Sequence, residues 1–249
     1  DTLDFGSFVS PKAIPQLADT AAVLKGLHLG DTKTKLLAIV ANERGAEQAV
    51  MYDEISFLGF PFSISETFQR LNTNSSITDS FRTVERMQDL CVRRHKQLVV
   101  YISMGFGNPY GDDYDPSIVA SWIEKLAGLG IGILSLADTV GVSTPEQIKE
   151  VFAVLAPAFP HLEIGAHLHA TPETASEKVM AALETGCRRI DSALNGIGGC
   201  PMAQNELVGN VATETVLTCL QRQQINPLLN EEALAQALQL APMVFTHHG

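Results

Sequence analysis

The sequence predicts an α/β fold, a parallel (β/α)₈ barrel whose first βα unit would precede residue 1. Seven short apolar runs alternate with segments of helical periodicity along the 249 residues, which is the pattern of repeated βα units. A closed barrel needs eight such units, and Asp1-Thr2-Leu3 already opens the first run. No Gly-x-Gly-x-x-Gly follows a first strand, which disfavours an open doubly wound sheet. We therefore expect residues 1–249 to form one barrel domain containing strands two to eight.

Each predicted strand is short, rich in β-forming residues and bounded by polar residues, glycine or proline. The seven strands are Leu3–Phe8, Lys35–Ala41, Glu54–Phe60, Gln97–Met104, Ile131–Asp138, Glu163–His169 and Arg189–Asn195. The predicted helices are Ile14–Leu27, Ser80–Arg94, Pro116–Leu129, Thr144–Leu155, Glu173–Thr185 and Glu214–Arg222. A last helix, Glu231–Leu240, is expected in the C-terminal segment that starts at residue 226.

The amino-acid composition limits the binding partners and the cellular compartment that we expect for this protein. The net charge of −11 and the pI near 5.0 disfavour nucleic acid, because such a surface repels phosphate. The four cysteines form no Cys-x-x-Cys pair, so we expect reduced thiols and an intracellular, cytoplasmic protein, or one of the mitochondrial matrix if the source is eukaryotic. No apolar run reaches membrane-spanning length, so no membrane partner is expected.

Two histidines end the predicted strand Glu163–His169. Side chains alternate along a strand, so His167 and His169 should point the same way, towards the catalytic end of a barrel. Two imidazoles in that position could supply two ligands of one cation. The alternative is a pair of hydrogen-bonded core histidines.

Further polar residues follow other predicted strands. Asp138 ends one strand and could act in the site or cap the next turn. Three glycines precede Cys200, where Gly198 and Gly199 would allow close approach of a ligand and the thiol could transfer a proton, unless it is inert. Asn210 precedes the helix Glu214–Arg222, and could bind a hard metal ion or cap that helix.

Together these segments resemble the 3-hydroxy-3-methylglutaryl-CoA lyase family, a group of metal-dependent barrel enzymes related to isopropylmalate synthase. The likeness covers nearly the whole chain. It is carried by Ser7–Lys12 (SFVSPK), Ser65-Glu66 with Phe68, Asn72 and Asn74, Leu136–Val142, His167–His169, Gly196–Pro201 and Gly209–Glu214. The SFVSPK and GxGGCP segments are specific to the lyases within the wider superfamily.

The resemblance implies cleavage of 3-hydroxy-3-methylglutaryl-CoA to acetyl-CoA and acetoacetate by retro-Claisen chemistry. It implies that His167, His169 and Asn210 bind Mg²⁺ or Mn²⁺, and that Cys200 and Asp138 are catalytic. The substrate would be an acyl-CoA, and a homodimer can be expected. Residues implied to bind substrate are Asp4, Ser7, Asn74, Gly198 and Gly199.

Departures from the family pattern keep other functions open. The lyases carry an Arg-Asp pair on a first strand, which would lie upstream of residue 1. Their strand-two glutamate is Asp4 here, the aspartate after the second histidine is Ala170, and the glycine before the strand-six aspartate is Ala137. The alternatives are a related aldolase or synthase acting on another 3-hydroxy acyl-CoA or 2-oxo acid, and a degenerate barrel that only binds.

Overall fold

The computed structural model describes residues 1–12, 14–30, 32–199 and 208–245. The chain forms two compact units, Asp1–Ser103 with Ile118–Leu134 and Met104–Ser117 with Ser135–Gly249. All seven predicted strands are present in the predicted order, so the α/β alternation is confirmed. The single-domain organisation expected from the sequence stays a prediction.

In the first unit, four parallel strands pair in chain order. They are β1 (Thr2–Ser7), β2 (Lys35–Ile39), β3 (Ile55–Ser63) and β4 (Gln97–Ser103). Their runs are almost continuously apolar because parallel strands are covered on both faces. Leu37, Phe57, Val99 and Ile133 form one buried cluster of this unit.

Helices connect these strands. They are α1 (Thr20–Gly26), α2 (Glu43–Ala49), α3 (Glu66–Thr73), α4 (Ile77–Arg93) and α5 (Pro116–Gly128). The sequence analysis missed α2 and α3, because helices of seven and eight residues span too few turns to show a clear period. The predicted helix Ile14–Leu27 is shorter, since only a 3₁₀ turn, Pro15–Leu17, precedes α1.

The cap of α4 also differs from the sequence prediction. The sequence predicted a helix that begins at Ser80. Instead, the Ser76 hydroxyl accepts a hydrogen bond from the Asp79 amide at 3.1 Å, and the helix begins at Ile77. Serine is a preferred N-cap residue because its oxygen satisfies an amide that has no partner within the helix.

The second unit holds the end of β5 (Ile133–Asp138), then β6 (Glu163–Ala170) and β7 (Ile190–Asp191), which pair in parallel. A two-residue strand, β8 (Gly209–Asn210), pairs antiparallel with the end of β6 and was not predicted. The helices of this unit are α6 (Pro145–Ala158), α7 (Pro172–Glu184), α8 (Thr213–Arg222) and α9 (Glu231–Phe245).

Local sequence explains where two of these elements begin and end. Thr144 and Gln147 form a reciprocal capping box that starts α6 where the sequence predicted. The predicted strand Arg189–Asn195 is wrong in length, because the chain turns after Asp191 into a 3₁₀ segment in which Asn195 has φ 55°. A left-handed residue cannot continue an extended strand.

The remaining sequence-level expectations concern cysteines and membranes. Cys91, Cys187 and Cys219 are buried and unbonded to other sulfurs, as expected for reduced thiols. Within the described residues, no helix combines the length and apolar character needed to cross a bilayer.

Candidate functional site

The two histidines of β6 lie side by side. The ring centroids of His167 and His169 are 5.2 Å apart, and the ring planes are inclined by 59°. His169 is buried, whereas the His167 side chain is about one-third exposed, at 31%. The predicted projection from one face of the strand is therefore confirmed, and metal binding by the pair stays a prediction.

The ring of His169 is fixed by a backbone carbonyl. Its Nδ1 lies 2.8 Å from the carbonyl oxygen of Thr139, in the loop that follows β5. A carbonyl oxygen only accepts, so Nδ1 carries the proton and Nε2 carries the lone pair. The Asn210 side chain lies close enough to this imidazole to affect its pKa.

Burial lowers the pKa of His169 below its ordinary value, and the nearby His167 ring adds to this effect. The hydrogen bond to Thr139, the charge of Asp138 and the nearby Asn210 side chain raise the pKa but do not reverse the shift. A neutral imidazole is the form that binds a metal ion.

A carboxylate holds the ring of His167. Its Nδ1 lies 3.3 Å from Oδ2 of Asp191 on β7, and the Ser135 hydroxyl donates to the same oxygen at 2.7 Å. Burial alone would raise the pKa of Asp191, but His167, Arg189 and Ser135 together lower it. An ionised carboxylate only accepts, so Nδ1 of His167 is the donor, and in the neutral ring Nε2 carries the lone pair.

Sequence reasoning missed Asp191 as a partner of His167. The signal that could have found it is sheet register, because His167 and Asp191 are directly paired across parallel β6 and β7. A carboxylate on the second nitrogen of a histidine is the usual partner of a metal-binding imidazole.

Asn210 stands beside His169 in the antiparallel pairing of β8 with β6. Its Nδ2 donates to the Ile197 carbonyl at 3.1 Å, and its amide donates to the Gly198 carbonyl at 2.9 Å. The helix-capping alternative is wrong, because Ala212 occupies the N-cap of α8 and makes no side-chain bond there. The amide side chain is thus held at the histidine pair.

Glycines make room for this close packing. Gly198 has φ 92°, and a Cβ there would lie 3.0 Å from Nδ2 of Asn210. A Cβ on Gly199 would lie 3.1 Å from the Cα of Gly209. These glycines let the protein's own chain approach closely, whereas the predicted close approach of a ligand to them stays a prediction. Cys200, the predicted catalytic thiol, lies outside the described residues.

Asp138 ends β5, and its carboxylate is almost completely enclosed. Its Oδ2 accepts from the Lys178 ammonium at 2.7 Å and from the Ser143 hydroxyl at 2.5 Å. The amide of Ser143 adds a further hydrogen bond at 3.2 Å. The sequence analysis assigned no role to Lys178, although Ala175, Val179 and Ala182 place it on the buried face of α7.

Three predicted substrate-binding residues belong to the first unit. Asp4 is exposed on β1. The buried Ser7 accepts a hydrogen bond from the Val9 amide through its Oγ, at 3.2 Å. Asn74 ends α3 with φ 53°, a left-handed cap that asparagine tolerates. Their substrate contacts stay predictions.

The donors at the histidine pair suit a divalent cation. Imidazole is a common ligand of divalent transition metals, and an amide oxygen such as that of Asn210 suits hard divalent ions, so the remaining positions would be taken by water or substrate. Among the described residues, no group of three or more His, Cys, Asp or Glu side chains is placed to hold a metal ion. His167, His169 and Asn210 are therefore the described residues that would supply ligands, and metal binding by them stays a prediction.

Comparison with known proteins identifies the family. The HMGL-like family model matches residues 14–241. Hydroxymethylglutaryl-CoA lyase YngG of Bacillus subtilis (strain 168) is 34% identical over 235 residues, which are 94% of this chain and 78% of that protein.

Solved structures agree. The crystal structure of the Bacillus subtilis HMG-CoA lyase superposes with a TM-score of 0.89 and 33% identity, covering 98% of this chain and 80% of that one. An HMG-CoA lyase from Acinetobacter baumannii, in complex with coenzyme A and 3-methylmalate, gives a TM-score of 0.87 and 29% identity, covering 99% and 79%. The predicted barrel class and the predicted enzyme class are confirmed, and the chain belongs to the HMGL-like family of lyases.

Proposed function

We propose that this protein is a divalent-metal-dependent lyase that cleaves 3-hydroxy-3-methylglutaryl-CoA to acetyl-CoA and acetoacetate. The observation that carries the proposal is the pair of imidazoles on β6. Both rings hold a proton on Nδ1 against a fixed acceptor, so each ring in its neutral form carries its lone pair on Nε2. The HMG-CoA lyases found by comparison support the substrate.

His167, His169 and Asn210 would hold the cation, which we propose to be Mg²⁺ or Mn²⁺. When bound, such an ion offsets negative charge that develops on substrate oxygens. Asp191 and the Thr139 carbonyl orient the two rings, which reduces the reorganisation needed on binding.

The chemical step moves one proton off oxygen and one onto carbon. A base takes the tertiary hydroxyl proton, the C–C bond breaks as the ketone forms, and the electron pair passes to the acetyl-CoA enolate. We propose that the Cys200 thiol protonates the enolate carbon. Cys200→Ser should reduce turnover by about 10²–10⁴-fold with metal affinity unchanged. Unchanged turnover would remove this thiol from the step.

The family resemblance implies a catalytic Asp138, whose candidate role is to accept the hydroxyl proton, whereas its enclosure by Lys178 and Ser143 favours a role in positioning the metal ligands. Asp138→Asn distinguishes these roles. A proton acceptor loses turnover by about 10²–10⁴-fold at constant metal affinity. A positioning residue loses metal affinity as well, because it acts through the ligands.

The test of the whole proposal is acetyl-CoA release from the hydroxymethylglutaryl thioester with added Mg²⁺ or Mn²⁺, together with Mn²⁺ binding by electron paramagnetic resonance. His169→Gln should abolish release and weaken Mn²⁺ binding. His161→Gln is the matched control, because His161 is an exposed residue just before β6. Neither binding nor release by the unmodified protein would refute the proposal.

A second candidate is a related aldolase or synthase on another 3-hydroxy acyl-CoA or 2-oxo acid. It is favoured by Ala170, which is buried and has no donor side chain directly after His169. A panel of acyl-CoA thioesters and free acids would separate the two, since each predicts a different best substrate. A protein that binds CoA but turns over nothing in the panel would be the degenerate barrel. Homodimer formation and cytoplasmic location stay predictions.

A further inference from the structure

Lys178 is a buried lysine whose ammonium makes three hydrogen bonds. Its residue exposure is 3%, and it lies on α7 behind the end of β6. Nζ donates to Oδ2 of Asp138 at 2.7 Å, to the Gly141 carbonyl at 3.1 Å and to the His169 carbonyl at 3.0 Å. An ammonium has three N–H donors, so each is used.

The acceptors lie on two different segments. Asp138 ends β5 and Gly141 lies in the loop that follows it, whereas His169 belongs to β6. The Asp138 carboxylate also accepts hydrogen bonds from the amide and the hydroxyl of Ser143. These bonds join the two ends of the Asp138–Ser143 loop. Lys178 therefore joins the Asp138–Ser143 loop to the end of the neighbouring strand.

The same loop also holds the His169 ring. Thr139 lies directly after Asp138, and its carbonyl accepts the Nδ1 proton of His169 at 2.8 Å. His169 is thus fixed twice, through its own carbonyl by Lys178 and through its ring by Thr139. If the loop moved relative to the strand, the Thr139 carbonyl would no longer face Nδ1.

We propose that Lys178 is a positioning residue, which sets the tautomer and orientation of His169 through the Asp138–Ser143 loop. The inference rests on the proposed function for its consequence, which is cation affinity. The part of the inference that concerns the His169 ring is independent of the proposed function, because the tautomer of His169 can be observed in the protein without metal. An outer residue of this kind typically contributes about 10- to 100-fold to metal affinity.

The test compares two variants with one control. Lys178→Met removes the ammonium with little change in volume. Asp138→Asn combined with Lys178→Met removes both charges, which avoids an unpaired buried carboxylate if the single variant does not fold. Lys149→Met is the matched control, since Lys149 pairs with Glu184 on the surface of the same unit.

Two readouts are measured on each folded variant. Long-range ¹H–¹⁵N NMR of the ring nitrogens reports the His169 tautomer without metal, with the signal assigned by its loss in His169→Gln. Electron paramagnetic resonance reports Mn²⁺ affinity. We expect the Lys178 variants to lose the single Nδ1–H form and to bind Mn²⁺ about 10- to 100-fold more weakly, and the control to match the unmodified protein.

The outcomes separate the two proposals. A His169 tautomer that stays unchanged in the double variant overturns the inference, whatever the Mn²⁺ affinity. A changed tautomer in a protein that never binds Mn²⁺ refutes the proposed function and supports Lys178 as the residue that positions His169.

Discussion

Two lysine–carboxylate pairs attach helix α7 to its surroundings, and they have the same length but very different burial. Lys178 lies 2.7 Å from Asp138, and Lys149 lies 2.7 Å from Glu184. The side chains of the first pair are 4% and 1% exposed, whereas those of the second are 49% and 44% exposed. The two pairs are equally long but should contribute differently to stability. Solvent and salt screen the exposed Lys149–Glu184 pair, whereas the buried Lys178–Asp138 pair has no water to replace a lost partner.

The largest expected effect on stability comes from breaking the buried Lys178–Asp138 pair. Lys178→Met should lower the free energy of unfolding by about 3–5 kcal/mol, because Asp138 is left as an uncompensated buried charge. Urea unfolding measures the loss. The double variant with Asp138→Asn should recover much of it, since no charge is then stranded. A loss no greater than that of Lys149→Met would show that burial does not distinguish the pairs.

One of the two uncharged partners of Lys178, the Gly141 carbonyl, sharpens the comparison. Gly141 has φ 71°, and a Cβ there would lie 2.5 Å from Cγ1 of Val208. Gly141→Ala should cost roughly 1–3 kcal/mol by strain and by displacing the carbonyl that Lys178 bonds. Gly186→Ala is the control, because Gly186 has φ 88° but open space around it. Equal losses would show that backbone strain alone accounts for the Gly141 effect.

A buried thiol that forms no ion pair gives the next smaller effect. Burial raises the pKa of the Cys187 thiol, just after α7, from 9.0 to about 12. The folded state therefore keeps this proton while the unfolded chain releases it, so stability is lost as pH rises above 9.0. The expected slope is up to about 1.4 kcal/mol per pH unit for this thiol. Cys187→Ala should flatten the measured profile, and an unaltered slope would contradict the assignment.

The smallest effect on stability is expected at the exposed Lys149–Glu184 pair. Lys149→Met should leave the denaturation midpoint unchanged within error at moderate salt, because exposed pairs contribute little. Unfolding at low and high salt, with Glu184→Gln as the reciprocal variant, measures any residual attraction. A salt-independent loss would show that this pair is more shielded than its exposure indicates.

The fold could be predicted from local patterns wherever an element is long enough to display them. All seven strands and the long helices of the second unit follow from runs and caps such as Thr144 with Gln147. The short β8 could not be predicted, because a two-residue strand is defined by its partner on β6 and carries no periodicity of its own.

Within the site, the sequence predicts the directions of side chains better than it predicts their hydrogen-bond partners. Strand alternation placed His167 and His169 on one face, and the rings are neighbours as expected. The groups that hold them, Asp191 and Lys178, were missed because each acts across two segments that only the folded chain brings together. A lysine on the apolar stripe of α7 was the available signal, since an unpaired charge is rarely buried.

The enclosure of Lys178 has a chemical consequence for a protein proposed to handle thioesters. Acyl-CoA compounds can acylate lysine amines that they reach, and acetylation removes the charge on which an ion pair depends. With 3% of its surface accessible, Lys178 is shielded from such damage, whereas Lys149 is open to it. Acylation by the substrate would then modify Lys149 first, and the Lys149–Glu184 pair is the one that contributes less to stability.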